Sequence, residues 1–73
     1  METMSFSEAL NCLKNNQKIT RTGWNGKGMY LYLNKESSVI TDPFISMKTA
    51  QNTIVPWTAS QTDLLSNDWI IFI

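Results

Sequence analysis

The chain has 73 residues, with six Lys or Arg against six Asp or Glu, no His and one Cys. Its length predicts a single domain, residues 1–73. Zero net charge excludes a broad basic surface for duplex nucleic acid. The missing His removes the commonest general base and metal ligand.

Cys12 can form no internal disulfide and has no zinc-type partner, which fits a reducing, intracellular setting. There is no basic start followed by an apolar core, as a signal peptide would have, and no apolar run near the length of a membrane span. A soluble cytoplasmic protein without a membrane partner is expected. A domain this small buries only about 60% of its unfolded surface. With disulfides and metals unavailable, self-association is the remaining common remedy.

In chain order, "SFSEALNCLKNN" predicts a helix. Ser5 can cap it, with Glu8 three residues on as in a capping box. Phe6, Ala9, Leu10 and Leu13 form its apolar stripe. Asn15 and Asn16 suit its end. "KITR" predicts a short strand and "TGWNGKG" a turn, since "NG" is a strong hairpin signal. "MYLYL" predicts a strand with Tyr30 and Tyr32 on one face and Met29, Leu31 and Leu33 on the other.

"VIT" is a further strand candidate, ended by Pro43, and "FISMKT" another. "IVPW" is a strand that Pro56 confines to an edge or bulge. "TASQTDLLSND" reads as a loop with one helical turn, and "WIIFI" as the last strand. The fold class predicted is α+β, one N-terminal helix on an antiparallel sheet of about five short strands. "WIIFI" is apolar throughout, so it asks for cover on both faces. One helix supplies one cover, and a second subunit is expected to supply the other; the alternative is that Ile71 or Ile73 sits at a frayed end.

No catalytic relay is legible. Asp63 and Asp68 form the closest acidic pair, but no His, Cys or Lys stands near them in sequence. Ser60 lacks a candidate base, and "GWNGKG" lacks the spacing of a phosphate-cradling loop. Neither an enzyme nor a bound cofactor or metal is expected. Binding is better supported. Trp24, Asn25, Gly26 and Lys27 share one turn: a flat ring to stack on a base, an amide to read an edge, a permissive backbone and a cation for phosphate. Trp57 is followed by Ala59, Ser60, Gln61, Thr62 and Asp63, whose side chains include hydroxyls, an amide and a carboxylate. The competing reading is structural, with both tryptophans in the core and Ser60 and Asp63 capping the helical turn. Trp69 is expected in the core, and Lys48 on a solvated face.

The segments "GWNGKGMYLYL", "PFISMKTA", "VPWTASQTDLL" and "DW", in that order after the short helix, resemble the second Thoeris anti-defence group of phage proteins. The resemblance runs from about Ser5 to Trp69. It implies a homotetramer acting in the host bacterial cytoplasm. Such a protein would bind a cyclic ADP-ribose isomer (gcADPR), made by a bacterial Toll/interleukin-receptor (TIR) enzyme, without cleaving it. Some members also hold cyclic dinucleotides at a separate site. Ligand contact carries over to Trp24 and Asn25 in "GWN", Trp57 in "PW", and Ala59 to Asp63. Against the family pattern, the Leu33–Pro43 loop is short and "WIIFI" is an unusually apolar ending. The alternative reading is a non-catalytic phage structural or protein-binding accessory protein. A single-strand nucleic-acid binder is disfavoured by the neutral charge.

Overall fold

A computed structural model describes residues 2–24, 28–36, 39 and 41–73. It contains α1 (Phe6–Lys14), β1 (Ile19–Arg21), β2 (Tyr30–Asn34), β3 (Phe44–Lys48), β4 (Ile54–Pro56), α2 (Gln61–Leu65) and β5 (Trp69–Ile71). The strands form one antiparallel sheet in the order β4-β3-β2-β1-β5. The fold is therefore α+β, as the hydrophobic patterning predicts.

Local chemistry sets the boundaries of α1. Ser5 Oγ accepts from the Glu8 N–H, and Glu8 accepts from the Ser5 N–H, closing a capping box. At the other end Asn16 adopts φ 65°. The Asn16 N–H donates to Leu13 O and the Gln17 N–H to Cys12 O, both at 3.0 Å. This is a Schellman close in which Asn takes the left-handed position usually given to Gly. The stripe on α1 then packs against β5, β2 and β1. Ala9, Leu13, Ile19, Leu31 and Trp69 are fully buried, flanked by Met4, Phe6, Leu10, Cys12, Trp24, Ile45, Met47 and Trp57.

Pro56 lies on an edge strand, where its missing N–H breaks no ladder bond. β5 is the opposite edge. Its Trp69 exchanges main-chain bonds with Met4, N–H to O at 2.7 and 3.2 Å. Beyond that bridge Ile71 and Ile73 are exposed, so the apolar ending lies at the sheet's margin. On the sheet face away from Leu31 and Ile19, Tyr30 packs on Phe72 (4.8 Å between centroids), with Lys18 Nζ 4.6 Å from the Tyr30 centroid. The candidate strand "VIT" is not formed at Val39 or Thr41, and Val39 is exposed. Ile40 lies outside the described residues. No described helix is long and apolar enough to cross a membrane.

Candidate functional site

β1 ends at Arg21, whose register partner on β5 is Trp69. The chain then turns: the Thr22 N–H donates to Asp68 O (3.1 Å) and the Trp24 N–H to Arg21 O (3.3 Å). These bonds deliver the Trp24 ring edge-on to the buried Trp69 ring, with centroids 5.4 Å apart and planes at 80°. From the other side, the Trp57 N–H extends the β3–β4 ladder to Ile45 O (2.9 Å). Trp57 thus meets Trp69 at 6.1 Å and 88°, and Phe6 at 5.8 Å. Two half-buried indoles from distant segments therefore flank one buried indole. Edge-to-face contacts of this kind contribute roughly 0.5–1.5 kcal/mol each beyond area burial.

Asp63 joins the pieces. Its Oδ1 accepts from Arg21 Nη1 (2.8 Å) and Trp24 Nε1 (3.3 Å), and its Oδ2 from the Ser60 N–H (3.2 Å). Ser60 Oγ accepts from the Asp63 N–H (3.1 Å), completing the capping box of α2. The Asp63 carbonyl accepts from Trp69 Nε1 (3.0 Å). Asp68 lies on the far side of Arg21. It accepts from Arg21 Nε (2.8 Å), Thr22 Oγ1 (3.2 Å) and the Gly23 N–H (2.9 Å).

The candidate residues thus separate by environment. Trp24, Trp57 and Asp63 meet around Trp69. Ala59 is half-buried, while Ser60, Gln61 and Thr62 are exposed along the start of α2. Asn25, Gly26 and Lys27 lie outside the described residues. The capping reading of Ser60 and Asp63 is correct as structure, and the Asp63 carboxylate is committed to donors within the chain. Lys48, on the sheet face away from this cluster, donates to Gly28 O (3.3 Å). Patterning did not mark Arg21, which binds acids 42 and 47 positions away. Its only sequence signal is a lone cation ending a strand.

Among the three indole N–H groups, Trp24 and Trp69 donate to Asp63, while Trp57 Nε1 has no acceptor among the described residues. It is the indole donor still open to an incoming group. Three concavities, of about 510, 340 and 260 Å³, are lined by other residues. None of these three is lined by Trp24, Trp57 or Trp69.

Bonds from Arg21, outweighing burial, hold the Asp68 carboxyl below its ordinary 3.8, aided by the Gly23 N–H and Thr22 hydroxyl. For Asp63, burial pulls upward most strongly, but bonds from Arg21, Ser60 and Trp24 together hold it below 3.8 as well. Both shifts are depressions, so the stability they contribute is fully present above the unfolded carboxylate range, about pH 4. It is lost as pH falls through the depressed folded values. Melting temperature should therefore fall steeply below about pH 4, and the Asp63→Asn, Asp68→Asn double variant should show a shallower fall. Superimposable acid profiles would contradict this.

A family model, the Thoeris anti-defense 2-like domain, matches residues 4–72. The chain belongs to the Thoeris anti-defense 2-like family. It is also similar to Thoeris anti-defense 2 of Bacillus phage SP01, at 40% identity over 93% of each chain. The matched span contains both tryptophan-bearing segments, α2 and the Arg21 network.

Proposed function

We propose that this protein is a phage anti-defence factor that binds gcADPR, the cyclic ADP-ribose-type signal of Thoeris, and withholds it uncleaved from its effector. The family match over residues 4–72 carries this reading. The geometry supports it. Trp24 and Trp57 offer ring faces for a base, with the Trp57 indole N–H as an open donor. Gln61 and Thr62 add exposed polar side chains at the start of α2, and Asn25, Gly26 and Lys27, which follow Trp24 in sequence, complete the proposed contact set. Asp63 acts by holding Trp24.

Retention without cleavage agrees with the acids present. Arg21 keeps Asp63 and Asp68 ionised and hydrogen-bonded, which makes them weak bases with no proton to give near neutral pH. The protein is accordingly read as a binder in the host bacterial cytoplasm.

Because none of the three concavities is lined by these tryptophans, the pocket closes on this reading by assembly, with a homotetramer as the expected state. The exposed Ile71 and Ile73 are suited to such a contact. Light scattering at micromolar concentration should report a tetramer, and Ile71→Lys should weaken it, since burying an unpaired charge costs several kcal/mol. A monodisperse wild-type monomer would contradict the assembly. The contacts of both candidate tryptophans with Trp69 favour the second reading, a protein-binding accessory role. Calorimetric titration separates the two: gcADPR binding supports the sponge, and its absence at millimolar ligand supports the accessory protein. A separate site for cyclic dinucleotides would show when a cyclic dinucleotide is titrated into protein already saturated with gcADPR and still binds.

A further inference from the structure

We propose that Asp68 and Arg21 are positioning residues for the ligand-facing turn: Asp68 pins the main chain just before Trp24, and Arg21 holds Asp63 against the Trp24 indole. This rests on the reading of Trp24 as a ligand wall. The donors to Asp68 come from three successive residues, Arg21, Thr22 and Gly23, which lead directly into Trp24. The main chain repeats the attachment through the Thr22 N–H to Asp68 O, 3.1 Å. A turn is thereby fastened at its root by a residue some 45 positions later in sequence.

Gly23 supplies a separate observation. A Cβ at this position would stand 2.9 Å from Asp68 Oδ2 and 3.4 Å from Arg21 Nη2. Gly23 has no positive φ to explain it. A side chain at this position would therefore force the carboxylate, which Arg21 and Thr22 hold in place, to shift. Beyond the turn, the Trp24 indole reaches Asp63 Oδ1, the same oxygen that accepts from Arg21 Nη1. Arg21 thus bridges the acid that fixes the turn's main chain and the acid that fixes its ring. A ring held this way is in place before the ligand arrives, and binding need not supply the ordering cost.

The test combines indole N–H resonances of ¹⁵N-labelled protein, recorded without ligand, with titration of gcADPR. Gly23→Ala displaces the carboxylate without removing any charge. It should shift the Trp24 indole resonance, leave that of Trp57 in place, and weaken gcADPR binding by about tenfold. Asp68→Asn keeps an acceptor for the Gly23 N–H but loses the charge facing Arg21; it should act in the same direction with a smaller effect. It carries the test should Gly23→Ala fail to fold. Asn16→Ala, which strains the left-handed close of α1 at the helix end away from the Met4–Trp69 bridge, controls for general destabilisation: it should lower the melting temperature and change neither the resonance nor the affinity. An unmoved Trp24 resonance in both turn variants overturns the proposal. So does a moved resonance with unchanged affinity, or an Asn16→Ala variant that loses affinity equally. A wild-type protein that binds no gcADPR refutes the ligand reading instead, and the resonance alone then decides whether Asp68 positions Trp24.

Discussion

Trp69→Ala is expected to remove about 3–5 kcal/mol of stability, the range for truncating a large buried aromatic. Trp69 has no exposed surface and is in ring contact with Phe6, Trp24 and Trp57. It also donates to Asp63 O at 3.0 Å, a bond contributing roughly 1 kcal/mol. At about 0.05–0.15 kcal/mol per residue, the whole domain has only some 4–11 kcal/mol to lose. The melting temperature should therefore drop by about 15 °C or more, or folding should fail at 37 °C. Trp69→Phe keeps most of the ring packing and loses the indole bond, so its drop should be several-fold smaller. Equal drops would show that the hydrogen bond, rather than the ring, holds the cluster together. A fall below about 5 °C for Trp69→Ala would show that the cluster does not depend on it.

Trp24→Ala should separate binding from folding. The ring is half-buried and meets Trp69 by an edge contact, so its loss should cost less stability than Trp69→Ala. If the exposed part stacks on adenine, gcADPR affinity should fall by roughly ten- to a hundred-fold, from about 1–3 kcal/mol of stacking. Thermal unfolding without ligand and calorimetric titration give the two numbers. Trp24→Phe retains an aromatic face and loses the bond to Asp63, so it should recover part of the affinity. A folded Trp24→Ala protein that binds as tightly as wild type removes Trp24 from the site. A protein that fails to fold gives Trp24 the structural role alone.

The fold was legible where local signals agreed. Ser5 and Glu8 announced the start of α1, and the Phe6–Ala9–Leu10–Leu13 spacing named its buried face. Leu31, placed by alternation opposite Tyr30 and Tyr32, is fully buried, and Pro56 correctly marked an edge. "VIT" misled because a short β-branched run carries no information about a pairing partner; Val39 is exposed instead. "WIIFI" announced burial by its hydrophobicity, yet Ile71 and Ile73 are exposed in the single chain because β5 is an edge.

The site was legible only as parts. Trp24 and Trp57 stood out by residue type, and the convergence of both on Trp69 depends on sheet order, which periodicity does not encode. Asp63 and Asp68 were visible as acids without a partner. Their partner, Arg21, comes from a strand more than 40 positions earlier. It becomes adjacent only because β1 pairs with β5. The helical-turn reading of Ser60 and Asp63 was likewise available from spacing alone, and their reciprocal bonds form the cap of α2.

The central claim, capture of the signal without turnover, is tested most directly by mass balance on gcADPR. The protein is incubated with a substoichiometric amount of gcADPR, and the free nucleotide is measured by filtration and chromatography before and after heat denaturation. Sequestration predicts that the filtrate is depleted before heating, and that intact gcADPR is recovered in full afterwards. ADP-ribose or another linear product at either stage would contradict the account in favour of an enzyme, and an undepleted filtrate before heating would contradict binding itself.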